Sequence, residues 1–193
     1  RKDKGVVTPT TEKKEAPDGY WYKTPDGEII ETKALKENSY VTPNEGFHTR
    51  IGSADYFEII FDDNKYTELD IDLESGDPLE FEDTKKYKDR IVAAQKKSNL
   101  KDAVSTGFGK INGEPLVVAA MDFAFIGGSM GSVVGEKIAR AIDKAIEKKC
   151  PFTMISKSGG ARMMEAGFSL MQWPKLQQNY LSLLKLNFHI YLI

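Results

Sequence analysis

Two glycine-rich turns hold the residues best placed to do chemistry: Gly127-Gly128-Ser129-Met130-Gly131 and Ser158-Gly159-Gly160-Ala161-Arg162. Neither contains a histidine, a carboxylate or a thiol, so chemistry there has to come from backbone N–H groups. Missing Cβ atoms let a ligand approach the main chain closely. The start of a following helix leaves N–H groups unpaired and adds a partial positive charge. Together these make an oxyanion-hole design, in which one donor contributes about 2.7 to 4 kcal/mol to a transition state. Each turn alone also has a plainer reading. Gly159-Gly160 serves equally as a close-packing turn, and residues 127–131 as a flexible loop or a phosphate cradle.

The flanking pattern predicts elements able to position both turns. Val104 to Ile111 and Leu116 to Met121 read as strands joined by Asn112-Gly113, a strong hairpin signal. Ser129 or Ser132 can cap a helix reaching about Lys149. Val134, Ile138, Ala141, Ile142 and Ala145 follow its 3.6 period, and Lys137, Arg140, Lys144 and Lys148 line the other face. Phe152 to Ser156 reads as a short buried strand. A second helix opens at Gly160, with Met164, Phe168 and Met171 on one face. Strand, tight turn and helix thus occur twice. Upstream, Asp55 to Phe61 and Tyr87 to Lys97 read as helices. The cluster Lys85, Lys86, Lys88 and Arg90 reads first as a solvated helix face and second as a phosphate contact.

At 193 residues the chain can hold one medium domain with an appendage. A net charge of -2 and a pI near 5.8 give no basic field for nonspecific nucleic-acid binding, so that partner is unexpected. One cysteine, Cys150, excludes an internal disulfide and reads as a small apolar packing residue. No membrane-length apolar stretch occurs, and a cytoplasmic setting is expected. Residues 1–18 are polar and charged and read as a flexible tail. Residues 19–53 form a turn-rich module with β-like runs at Tyr20 to Lys23, Glu28 to Glu31 and Ser39 to Val41. Trp21, Tyr40 and Phe47 are its expected core, and His48 is expected at its surface.

The segments MDFAFIGGSMGSVVGEKIARAI and SGGARMMEA, with FEDTKKYKDR at Phe81 to Arg90, closely resemble the carboxyltransferase β subunit of bacterial multi-subunit acetyl-CoA carboxylase. The resemblance runs from about Gly19 to Gln172. It implies an α/β, crotonase-like ββα superhelix, incomplete here and preceded by a small β-rich ribbon, with residues 54–172 as the first part of the carboxyltransferase domain. It implies CO2 transfer from carboxybiotin on a carrier protein to acetyl-CoA, giving malonyl-CoA. The implied partners are a carboxyltransferase α subunit in an α2β2 assembly, a biotin carboxyl carrier protein and a biotin carboxylase. By position, Gly159 and Gly160 match the glycines whose N–H groups hold the thioester oxyanion. Gly127, Gly128, Ser129 and Gly131 line the CoA side, with Ala161 and Arg162 completing the substrate-binding set. Arg162 is expected to pair with a carboxylate or hold the helix start, as structural support ahead of catalysis. Another acyl-CoA as carboxyl acceptor, a decarboxylase, and an inactive fragment or docking module are the competing readings.

The sequence departs from the family pattern twice. Where many members carry four zinc-binding cysteines, this chain has Thr24, Gly27, Thr42 and Glu45, so no zinc is expected and β-turns replace the knuckles. After Met171-Gln172 the family continues M-A-K-T-S-A-K-L and later P-Y-I-S, whereas this chain reads WPKLQQNYLSLLKLNFHIYLI. Synonymous codons for Trp173 to Leu192, read one base earlier, spell MAKTSAKLSLLAKAKLPYIS. Residues 173–193 are therefore expected to be a frameshifted, non-native tail. The helix begun at Ala161 is expected to run past Gln172. Leu184, Leu186, Phe188, Ile190 and Leu192 alternate as a strand without a designed partner.

Overall fold

A computed structural model describes residues 19–25, 27–185 and 190–192, with side chains through residue 185. The expected tail over residues 1–18, Asp26 of the first turn, and Leu186 and Phe188 lie outside the described residues. The chain divides into a unit ending at Arg50 and a unit beginning at Ile51, close to the boundary expected at residue 53.

In the first unit, β1 (Trp21–Lys23) and β2 (Ile29–Glu31) pair antiparallel across a turn closed by the Gly27 N–H bonding to Thr24 O at 3.0 Å. The helix α1 (Thr32–Glu37), absent from the sequence expectation, follows directly. Ser39 and Tyr40 take positive φ, so the third β-like run is a turn rather than a strand. The core consists of Ile30, Leu35 and Tyr40, and Phe47 is half-buried. Trp21 is 54% exposed and is not the expected core residue, because it falls on the open face of a two-stranded hairpin. His48 is exposed, as expected. At two of the four positions matched to zinc ligands, buried threonines pin the turns. The Thr24 hydroxyl accepts the Glu28 N–H and the Thr42 hydroxyl accepts the Phe47 N–H, each at 2.9 Å. The Asn44 amide donates to the Glu28 carboxylate, which brings the two turns together.

The second unit begins with α2 (Ser53–Ile60), whose first N–H is accepted by the buried Asp122 carboxylate at 2.9 Å. The short edge strand β3 (Tyr66–Leu69) was not legible in the sequence, having two half-buried and two exposed residues and no clear alternation. Then come α3 (Tyr87–Ser98), β4 (Val104–Ile111) and β5 (Glu114–Met121), the last two turning at Asn112-Gly113 as expected. The long helix α4 (Ser132–Lys148) crosses over to β6 (Phe152–Ile155), which pairs parallel with β5. The sheet order is β3-β4-β5-β6, with a last edge strand β7 (Ile190–Leu192) parallel to β6.

The period of two along β5 sorts its residues to two faces. Val117, Ala119 and Met121 pack with Val134, Ile138 and Ile142 of α4 in one core. Leu116, Val118 and Ala120 pack with Phe57 and Phe61 of α2 in another. Fully burying each large side chain of the α4 stripe contributes roughly 1.5–3 kcal/mol. Cys150 belongs to the same core, where burial pushes its thiol up and keeps it protonated.

The helix expected from Ala161 does not start there. A 3-10 turn (Met163–Glu165) ends at Ala166, where φ +44 and ψ -122 break the chain direction. Helices α5 (Gly167–Leu170) and α6 (Gln172–Lys185) follow. Leu176 and Leu183 of α6 are buried in the α4 core, so the segment after Gln172 packs rather than standing free, and β7 has β6 as a partner.

Glu136 of α4 bridges to Lys175 of α6 and accepts Arg140 Nε at 2.6 Å. The hydrogen bonds from Lys175 and then Arg140 hold its carboxyl below the ordinary value of 4.5. Between the folded and the ordinary value the unfolded chain binds more protons, so this contribution is complete above the ordinary value and lost as pH falls through the folded one. Thermal melts should therefore drop as pH falls below 4.5, and Glu136→Gln should flatten that part of the curve. Parallel slopes for the two proteins would refute the assignment.

Candidate functional site

The two glycine turns lie side by side. Met130 donates its N–H to Gly160 O at 2.9 Å, and the Arg162 N–H returns to Met130 O at 2.9 Å, forming a parallel bridge between Met130 and Ala161. The Gly159 N–H adds a third stitch to Gly127 O at 2.9 Å. Glycine permits this approach: a Cβ at Gly128 would stand 2.2 Å from Lys157 O, and one at Gly131 would stand 2.5 Å from Glu165 Oε1.

These bonds revise the sequence-based roles. Gly159 is a stitch between the turns, since its N–H is already donated to Gly127. Gly160 and Ala161 are exposed. Among the described residues the Gly160 N–H bonds only to the hydroxyl two residues back, Ser158 Oγ, at 3.0 Å. Among the described residues the Ala161 N–H has no protein acceptor. In a parallel bridge the middle residue's N–H points away from the partner segment. In the first turn, three of the five N–H groups are already donated within the protein. Gly128 N–H goes to Phe125 O at 2.9 Å, Ser129 N–H to Ile126 O at 3.2 Å, and Met130 N–H to Gly160. No helix begins at Ala161, so no helix N-terminus reinforces Gly159 and Gly160.

Behind the turns is a buried polar cluster. The Arg162 side chain has no exposure and meets Asp102, also fully buried, through Nη2 at 2.6 Å and Nη1 at 3.1 Å. Its Nη1 also donates to Ser75 Oγ at 2.9 Å and the Tyr87 hydroxyl at 3.1 Å. Its Nε reaches Ser129 Oγ at 3.1 Å and its Nη2 reaches Ser129 O at 2.8 Å. The guanidinium lies 5.3 Å from the Phe125 ring centre. Glu165 accepts the Tyr87 hydroxyl at 2.7 Å on Oε1 and the Ser132 N–H at 2.6 Å on Oε2. That last bond caps α4, a task the sequence had assigned to Ser129 or Ser132. Burial alone would lower the Arg162 value, but hydrogen bonding and charge from Asp102, then from Tyr87, outweigh it and keep the group cationic. Burial raises the Tyr87 phenol above its ordinary range, with the Glu165 bond adding to the effect, so it stays a donor. The Arg162 side chain is therefore held inside the cluster rather than presented at the exposed turn. Asp102, Glu165, Tyr87 and Ser75 were not anticipated. Their only sequence signal is a carboxylate at the start of a buried strand and another inside an apolar run.

The basic cluster on α3 opens on a cleft of about 720 Å³, where Lys86 and Lys88 face Glu74, Asp77, Glu80 and Glu82. Four carboxylates against two ammonium groups make a poor phosphate site, which favours the solvated-face reading. Among the described residues no group of three or more His, Cys, Asp or Glu could hold a metal ion, and no helix is long and apolar enough to cross a membrane.

Residues 66–180 match the carboxyl transferase domain family, and the chain belongs to it. The fold is crotonase-like. The relatives are carboxyl transferase β subunits of acetyl-coenzyme A carboxylase. The one from Amoebophilus asiaticus is 59% identical over 185 residues, covering 96% of this chain and 66% of that protein. The one from Christiangramia forsetii is 61% identical over 175 residues, covering 91% of this chain and 61% of that protein. The chain therefore spans somewhat less than two-thirds of the length of these relatives. Among solved structures, a Pseudomonas malonate decarboxylase hetero-tetramer in complex with malonate superposes with a TM-score of 0.54 at 26% identity, over 70% of this chain and 47% of that one.

Proposed function

We propose that the chain is the acyl-CoA-binding part of an acetyl-CoA carboxyltransferase β subunit, working with an α subunit and a biotinylated carrier to form malonyl-CoA. The observation that carries the reading is the exposed Gly160-Ala161 segment, stitched rigidly to the neighbouring turn and offering backbone donors. Carboxybiotin supplies the carboxyl group and, after its release, the base. What remains for this chain is to hold the thioester oxygen as it gains charge. The Ala161 N–H is available for that oxygen. The Gly160 N–H becomes available once the Ser158 hydroxyl rotates away, a torsion about one side-chain bond. The Ala161 donor is fixed before reaction and the Gly160 donor needs only that one rotation, so two backbone donors supply a large part of such a barrier. Gly127, Gly128, Ser129 and Gly131 contribute by holding this segment in place.

The segment after Gln172 belongs to the same proposal: the shifted frame is the family's own. The test co-expresses two versions of the chain with the carboxyltransferase α subunit, one as written and one with a base restored ahead of codon 173. Malonyl-CoA formation from acetyl-CoA and carboxybiotin is then followed. The restored chain should turn over acetyl-CoA faster than propionyl-CoA, and the chain as written should be inactive. Failure of the restored chain to carboxylate any acyl-CoA would refute the function. Release of CO2 from a malonyl thioester without transfer would favour a decarboxylase, the reading suggested by the malonate decarboxylase likeness.

A further inference from the structure

The geometry points to Glu165 and Arg162 as positioning residues that set the separation of the two glycine turns, acting on the proposed carboxyl transfer without touching substrate. Both side chains have no exposure, so neither can meet an acyl-CoA. Their bonds nevertheless end on the site. Glu165 divides its oxygens, with Oε2 on the Ser132 N–H that starts the helix after the first turn. Oε1 takes the Tyr87 hydroxyl at 2.7 Å and Arg162 Nη1 at 3.5 Å. Arg162 grips the first turn through both the hydroxyl and the carbonyl of Ser129, while its own carbonyl accepts the Ser169 hydroxyl at 2.7 Å. The cluster is anchored at its far side by Asp102, Tyr87 and Ser75, which come from three other segments. Stability alone does not account for it, because apolar packing of similar volume serves a core at least as well as buried charge. Geometry does account for it, because a misplacement of about 1 Å costs on the order of 10²-fold in rate.

This inference rests on the proposed function, and its test separates the two. Glu165→Gln keeps the volume and an acceptor but removes the charge that organises Arg162 and Ser132. Tyr87→Phe removes one hydroxyl from an otherwise unchanged ring, and is the fallback if the first variant fails to fold. Amide hydrogen exchange is measured on the full chain at Met130 and Arg162 and, for comparison, at Val118 and Ala119 of β5. Values of kcat and KM for acetyl-CoA are measured in whichever reading frame turns over. For Glu165→Gln, exchange at Met130 and Arg162 should rise at least about tenfold beyond any change in β5. The kcat should fall about 100-fold, with KM held within about twofold. For Tyr87→Phe the same pattern should appear at about a tenfold loss of kcat. Uniform loosening of β5 and the turns, or selective loosening with kcat unchanged, would overturn the inference. If the parent complex shows no transfer, the proposed function fails. The exchange comparison then decides alone whether these residues hold the turns.

Discussion

Replacing Asp102 with alanine will lower stability by about 3–5 kcal/mol, because it leaves the Arg162 guanidinium charged, buried and without its two-point partner. Burial opposes the charge on Arg162, and the hydrogen bonds and charge of Asp102 are the largest influences offsetting it. Losing them leaves, as a charged partner, only the longer Glu165 contact, at 3.5 Å, against the cost of keeping that charge in the core. At roughly 2–4 °C per kcal/mol for a chain of this size, the melting temperature should fall by about 10 °C. A double variant, Asp102→Ala with Arg162→Met, should recover part of the loss, since an apolar side chain in that space carries no unpaired charge. Urea melts of both singles and the double complete a thermodynamic cycle with a coupling energy of about 0.5–3 kcal/mol. A loss under about 1 kcal/mol for Asp102→Ala would show that water or another group pairs with Arg162.

Gly128→Ala should be far more damaging than Gly127→Ala, although the two residues are adjacent and share φ values of +66° and +64°. Both variants suffer the strain of a left-handed residue, about 1–2 kcal/mol. At Gly127 nothing lies within 4 Å of the added Cβ, so strain is the whole effect. At Gly128 the Cβ would lie 2.2 Å from Lys157 O, 3.2 Å from Lys157 C and 3.3 Å from Ser158 Cα. Those atoms are backbone and cannot rotate aside, so the second turn must move. The expected total is about 4 kcal/mol, combining strain with overpacking. Carboxyl transfer should fall at least about 100-fold, because the moving segment is the one that carries Gly160 and Ala161. Paired melts and transfer assays decide the matter. Equal effects for the two variants would mean that the turns are not in the contact described.

Local order was written in the sequence wherever one element's own residues suffice to specify it. Asn112-Gly113 fixed the hairpin between β4 and β5, and the 3.6 period from Val134 to Ala145 marked α4 within a few residues. The segment after Gln172 obeys the same rule. Leu176, Tyr180 and Leu183 recur at helical spacing and mark α6. Motif similarity also drew attention to the two glycine turns, which the fold places side by side.

Only the tertiary structure decided which N–H groups those turns leave free. The bonds that consume the Gly159 donor and, among the described residues, leave Ala161 without an acceptor join residues about 30 positions apart, and no local pattern encodes them. The same holds for the cap of α4, which comes from Glu165, 33 residues away from Ser132. The break at Ala166 likewise overrides an apolar run that reads as helix, because Glu165 and Arg162 must turn inward to meet Asp102 and Tyr87. A sequence shows which side chains can form a helix face or a tight turn. Which distant group satisfies a buried charge or donor depends on where the fold brings the segments together, and here that choice defines the site.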